Sequence, residues 1–517
     1  MHRTTAQILA TLLWSSLLTS CGGGGPAALS AVPKPKPKPT THAAALDGGV
    51  PPPALARAPA IEQPRVLFSP PTAESFNDLE GIDMCANLGV DAKDSLYFMT
   101  RIKHPYRHGV MSKAGYYYGR LRAEGGYDWL SNLRDPVTRA TFGAAPAGLG
   151  LVVAAWTERE YGRESKLPPG AFLTRIDAAG GHEWQRSVGQ SAPIARVIID
   201  RQGNVLTIGS TKDSPADGGA PSRSEIIVEK FDSAGKRLWS KRWPGWLGPL
   251  PSLLNQRDPG VDQHGVLDGD DLLVWTYPCD RTGCHAVPEL VKLNADGGIV
   301  WRVAPIKFTR PDPQTAQRNM VLPAHLAVDG RGRLFAATVY EGPADLNERF
   351  ESRSHDRSGM NGILMRLGRD GRREQDVSFD VDKWGMFLDG VTVDAAGRVW
   401  ISGSYRSFIE FDRMNSMLVH PDAMAPDRSD RSPSTTTWFV AQFTDDLEER
   451  FSSNVGHDRA CGLAAFPSGH IAVSGRASKL LLPDVIGPRP IRSGGYILKI
   501  PGSIGEEPKR PRSCPCP

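Results

Sequence analysis

Apolar residues along most of this chain fall in short runs, paired around a tight turn rich in Asp and Gly. Residues 393–403 read VDAAGRVWISG, and the arrangement returns at 199–209 (IDRQGNVLTIG) and 328–338 (VDGRGRLFAAT). A second kind of pair reads FLTRIDAAGGHEWQR at 172–186 and returns at 227–241 as IVEKFDSAGKRLWSK. Runs this short, bounded by turn signals, predict β-hairpins rather than helices. Hairpins of the first kind, called inner here, occur at 90–100, 147–157, 199–209, 268–276, 328–338, 393–403 and 465–475. Outer hairpins occur at 117–131, 172–186, 227–241, 290–303, 363–377, 439–452 and, cut short, at 496–505. The two kinds alternate without exception, seven of each.

Two hairpins make a four-stranded sheet, and repetition at a long period predicts stacked like units rather than independent domains. Seven radial sheets that close into a ring expose only short edges. An open solenoid would need caps, and no capping segment is evident. The expected fold is all-β, a seven-bladed β-propeller of four-stranded blades. Some positions hold register. Trp129, Trp184, Trp239 and Trp301 each stand four residues after a turn glycine, Phe451 takes that place in the sixth unit, and Gln375 breaks the pattern in the fifth. A large ring at one strand position suits a wedge packed between sheets. Arg120, Arg175, Lys230, Lys292, Arg366 and Lys499 share another position, with Gln442 as the exception. The sharp reading is a ring of cations for an anionic ligand. The preferred one is a set of aliphatic stems covering apolar surface, with the charged heads in water.

These inner and outer hairpins, taken together, resemble the bacterial seven-bladed β-propeller repeat of secreted and surface lipoproteins, over roughly residues 80–505. The second and fourth inner hairpins depart from it, because Gly148 and Asp268 start them without the usual Val-Asp. The outer hairpins also resemble the quinoprotein-type repeat, whose consensus carries a Gly and then a Trp. The resemblance implies a fold and an envelope location, and no single activity.

The N-terminus reads as a targeting segment. Arg3 supplies a positive start and residues 8–18 an apolar run too short to span a bilayer. The run ends in Leu18-Thr19-Ser20-Cys21, which resembles a bacterial lipoprotein signal with Cys21 as the lipidated residue. Residues 22–64 are rich in Gly, Pro and Lys, and the PKPKPKP stretch favours extended polyproline II. The expected organisation is a signal peptide at 1–20, a tether at 21–64, the propeller at 65–505 and a disordered Cys-containing tail at 506–517. The formal charge is +4. Residues 1–64 hold Arg3, Lys34, Lys36, Lys38 and Arg57 against Asp47 and Glu62, so the rest is close to neutral. A body so near neutrality lacks the electrostatic footprint of a nucleic-acid binder.

Turns within hairpins are short, whereas the connections between hairpins carry nearly all the extra length, at 101–115, 212–224, 244–259, 304–323, 341–360, 406–437 and 478–494. In a propeller these connections gather on one face, the default binding surface of a rigid scaffold. His104, His108, His285, His355, His420 and His457 fall there, near Asp356, Asp422 and Asp458. His104 and His108 have a metal-like spacing, but Pro105 argues against the helix that would align them. No HExxH, GxSxG or phosphate-binding Gly loop occurs. No catalytic, metal or cofactor-binding residue is therefore nominated.

Seven cysteines are present. With Cys21 lipidated, six remain in an oxidising compartment, and two pairs are expected. Cys279 and Cys284 bracket a short loop. Cys85 and Cys461 each precede an inner hairpin, the first and the seventh, which are neighbours in a closed ring; the alternative is two buried free thiols. Cys514 and Cys516 lie in the tail. The functional expectation is a monomeric, lipid-anchored envelope propeller, held at the outer membrane through Cys21. It would bind a protein or glycan partner as a non-catalytic scaffold, with no cofactor and no nucleic acid. Two other readings stay open: a quinoprotein-like oxidoreductase, and an assembly factor similar to the propeller lipoprotein of the barrel-insertion machinery.

Overall fold

The computed structural model describes residues 65–68 and, apart from most of the long connections, residues 86–503. The chain divides into two units, 1–60 and 61–517, and every described residue lies in the second. The signal peptide, the tether with Cys21, and the tail with Cys514 and Cys516 lie outside the described residues.

All described regular structure is β, and the strands group into seven antiparallel units of four. Unit one is Asn87–Val90, Leu96–Ile102, Gly115–Leu121 and Tyr127–Leu133. Unit two is Val137–Ala144, Leu151–Thr157, Gly170–Ile176 and His182–Ser187. Unit three is Ile194–Ile199, Val205–Ser210, Glu225–Phe231 and Arg237–Trp246. Unit four is Gly265–Asp268, Asp271–Asp280, Glu289–Leu293 and Ile299–Val303. Unit five is His325–Val328, Leu334–Glu341, Asn361–Leu367 and Arg373–Val381. Unit six is Met386–Val393, Val399–Tyr405, Thr437–Phe443 and the first part of Glu449–Ala465. Unit seven takes the rest of that long strand, then Ile471–Leu480, Gly494–Ile500 and Arg65–Phe68.

The strand Arg65–Phe68 completes the outer hairpin that looked cut short. Arg65 pairs with Lys499 and Val66 with Leu498, so the two ends of the repeat array share one sheet. The first strands of successive units neighbour one another around the ring, and that of unit one meets the long strand of unit seven. Seven apolar clusters fill the junctions between the described units. Tyr97 and Tyr118 of unit one meet Phe142 and Val153 of unit two. At the seam, Phe466 and Ile497 of unit seven meet Leu88 and Phe98 of unit one. The architecture is a closed propeller-like ring.

The sequence of each strand follows from its place. A sheet sandwiched between two others buries both faces, so its middle strands read as continuous apolar runs rather than alternating ones. Val399–Tyr405 and Thr437–Phe443 are buried along their whole length. The outermost strand His182–Ser187 is exposed at nearly every residue, and its sequence, HEWQRS, is correspondingly polar.

Two expectations need correction. The second and fourth inner hairpins begin earlier than their turns suggested, with strands at Val137–Ala144 and Gly265–Asp268. Nor do the units form seven separate sheets. The ladders merge them into five, of which units one and two alone remain separate four-stranded sheets. The cause is strands that overrun their unit. Trp246 of unit three pairs with Tyr277 of unit four. A hairpin of Phe408–Phe411 and Ser416–Val419, from a connection of unit six, adds to the outer strand of unit five. Units six and seven share the 17-residue strand Glu449–Ala465, which bends at Asp458, a non-glycine residue with φ of 126°.

Candidate functional site

The end of the ring opposite the long connections carries the tight turns. Many of the described ones begin with a side chain that folds back on its own backbone. Asp200 Oδ1 accepts from Gln202 N at 3.0 Å and Asn204 N at 2.8 Å. Asp177, Asp232, Asp329 and Asp394 repeat the arrangement, and Asn294 does so with its amide oxygen. This is the self-bonding for which Asp and Asn favour turns. The glycine that follows takes a left-handed conformation, with φ of 80° at Gly235, which L-residues resist.

These turns are bolted to their neighbours. The Trp129 indole N–H donates to Ala178 O of unit two at 3.0 Å, Trp184 to Ser233 O of unit three at 2.9 Å, and Trp239 to Ala295 O of unit four at 2.9 Å. Trp301 donates to Arg369 O of unit five at 3.2 Å. The expected wedge is present, and it carries a directional bond that the pattern alone did not indicate. Gln375, which broke the tryptophan pattern, donates its amide N–H to Asp446 O of the unit-six turn, one residue past the position that the tryptophans reach.

The conserved-register cations are neither a ligand ring nor solvated heads. The side chain of Arg175 is 6% exposed; it donates to Gly203 O at 3.0 Å and Ser233 O at 3.4 Å and pairs with Glu183 at 2.8 Å. Arg120 reaches Ala178 O, and Arg366 reaches Asp445 O and Asp446 Oδ1. Lys230 pairs with buried Asp200, and Lys292 with Asp268 and Asp271, within their own units. Lys499 lies over the Phe466 ring. Gln442, the exception, donates to Gly502 O at 2.9 Å. For Arg120, Arg175 and Arg366 the expectation failed because the neighbouring turn offers carbonyl acceptors that a single hairpin does not show.

A second set of polar residues lies on the inner strands. Asn87, Arg196, His264 and His325 each stand four residues before a turn Asp: Asp91, Asp200, Asp268 and Asp329. Asp389 stands five before Asp394, and a bulge between Leu388 and Gly390 absorbs the extra residue. They therefore share one level of the ring. His325 Nε2 donates to Leu388 O of unit six at 3.0 Å, and Asp389 accepts from Ser404 at 3.3 Å. Ser404 Oγ in turn accepts from Ala460 N, which links units six and seven. His264 is buried, and that burial, with the charge of Arg196, pulls its pKa down to about 3. Burial pulls Arg196 down to about 10. None of these residues was singled out from the sequence. Counting back from each turn Asp would have aligned them.

The long-connection end lies mostly outside the described residues, including His104, His108, His355, His420, Asp356 and Asp422. His285 is described there, pairing with Asp280 at 2.9 Å, and so is Asp458, pairing with Arg476 at 3.1 Å. Among the described residues no cluster of three His, Cys, Asp or Glu side chains could hold a metal ion, and no helix is long and apolar enough to cross a membrane. Cys279 stands opposite Cys284 in the strand register. The Cys284 side chain and Cys85 lie outside the described residues.

No family model matches this chain, and no curated protein matches it. Solved structures do match in outline. The GH74 xyloglucanase from Xanthomonas campestris is 13% identical, with a TM-score of 0.43 over 84% of this chain and 55% of that one. The Dos1 propeller is 10% identical, with a TM-score of 0.39 over 81% and 93% of the two chains. The Neurospora crassa Pan2 WD40 domain is 9% identical, with a TM-score of 0.36 over 81% and 90%.

Proposed function

We propose that this chain is a lipid-anchored seven-bladed β-propeller of the bacterial cell envelope, held at the outer membrane through Cys21. It binds a protein or glycan partner through the end that carries its long connections, as a scaffold or recognition module without catalysis. One observation supports this most. The turns at the opposite end are occupied in bonding each unit to the next, which leaves the long connections as the surface free to vary. The Gly-then-Trp spacing that suggested a quinone enzyme is accounted for by this packing, which weakens that reading. Disulfides Cys279–Cys284 and Cys85–Cys461 belong to the proposal, the second as a lock across the seam.

Alanine blocks at 342–359 or 420–435 should abolish capture of partners from intact envelopes while far-ultraviolet circular dichroism stays unchanged. Substitution of exposed Arg201 on a tight turn should leave capture intact. Equal loss from both ends would refute the assignment of the face. Cys21→Ser should move the protein out of the detergent phase.

A further inference from the structure

The inner strands hold a cation that no described residue compensates. Arg196 belongs to the first strand of unit three, and its Nε is buried with no hydrogen-bond partner. Elsewhere in the described ring, cations that reach into the structure meet carboxylates or carbonyls: Arg175, Lys230, Arg333 and Arg398 all do. Arg196 meets neither among the described residues, and the influence that shifts its titration is burial alone, with no nearby acid. A buried guanidinium without a counter-charge is costly, and proteins normally pair it. The residue as a whole is half-buried, so one side of its fork remains open.

Its surroundings suit a small anion. His264 of unit four lies close enough for the Arg196 charge to depress its basicity, so its ring is neutral around pH 7 and adds no second charge. His325 of unit five stands at the same level, fixed by its bond to Leu388 O. One planar fork beside neutral imidazole fits one carboxylate.

We infer that Arg196, with His264 beside it, forms a binding site for a small monocarboxylate on the inner strands of units three and four. This site goes beyond partner binding by the long connections and does not depend on it. A free organic acid and the carboxylate of an acidic sugar share this chemistry.

The test is thermal unfolding of the full-length protein in detergent at pH 7, in sodium acetate, sodium glucuronate or sodium chloride at equal ionic strength. Acetate should raise the midpoint by a few degrees over chloride; a rise with glucuronate alone would assign the site to an acidic sugar. Arg196→Met should melt in chloride no lower than wild type, because it removes an unpaired buried cation, and should show no carboxylate response. Should that variant fail to fold, Arg196→Lys keeps the charge without the fork and should show a weakened response. A wild type that melts identically in all three salts overturns the site. So does an Arg196→Met protein that responds as wild type does.

Discussion

The junction between units four and five and the junction between units five and six perform the same task with opposite distributions of bulk. At the first, Trp301 supplies a large ring and Gly371 supplies space. A Cβ at Gly371 would stand 2.6 Å from that ring, and the glycine adopts φ of 76°. At the second, Gln375 replaces the tryptophan and Leu447 replaces the glycine. Leu447 is fully buried in the apolar cluster of this junction and takes φ of 56°, which L-residues adopt only at a cost. The volume has moved from the strand to the turn. What stays constant is a side-chain N–H donated to a turn carbonyl, from the indole to Arg369 O or from the amide to Asp446 O. The second junction adds charge: Arg333 bridges Asp329 and Asp445, each at 2.6 Å. The comparison teaches that the repeat conserves a filled junction and a satisfied carbonyl, and that no single residue type is required for either.

The largest expected effect is at Trp301. Trp301→Gln alone should cost about 3 kcal/mol in urea unfolding, because the ring leaves a void beside Gly371. Adding Gly371→Leu should recover at least about 1 kcal/mol, an interaction energy of the size contacting residues show. Strict additivity of the two changes would break the comparison. Next comes Leu447→Gly. Loss of a buried leucine outweighs relief of the left-handed backbone, for a net loss of about 2 kcal/mol. A stabilised variant would show that Leu447 fills nothing. Gln375→Ala removes one hydrogen bond and should cost about 1 kcal/mol; no change in midpoint would mean that the Asp446 carbonyl needs no partner.

The smallest effect is the acid response of the charged junction. The Arg333 guanidinium holds the Asp445 carboxyl below its ordinary range. It does the same for Asp329, together with the backbone N–H groups of Arg333 and Arg331, against the upward pull of burial. On acidification the unfolded chain takes up these protons first. The stabilisation is therefore complete above about pH 4 and is lost as pH falls through the folded values. Asp445→Asn should flatten this decline by roughly 0.5 kcal/mol or less, since Asp445 is partly exposed. An unchanged acid slope would remove the ion pair from the account.

The sequence by itself determined the hairpins, their alternation and their turns. Those rest on local physics: apolar runs, self-bonding Asp side chains, and glycines that tolerate a left-handed backbone. The place of the tryptophans was also legible, because a ring recurring in one strand register has to pack against something constant. Tertiary structure alone decided the rest. Nothing local says that Arg65–Phe68 pairs with a strand more than 400 positions away, because four residues carry no mark of their partner. The cations at Arg120, Arg175 and Arg366 looked solvated because their acceptors are carbonyls of the next unit, and a backbone carbonyl leaves no trace in a sequence. Arg196, His264 and His325 lie in three different units and become neighbours in one layer only when the inner strands line up. A residue's partners across a junction are set by how the sheets stack, and stacking is a property of the closed ring.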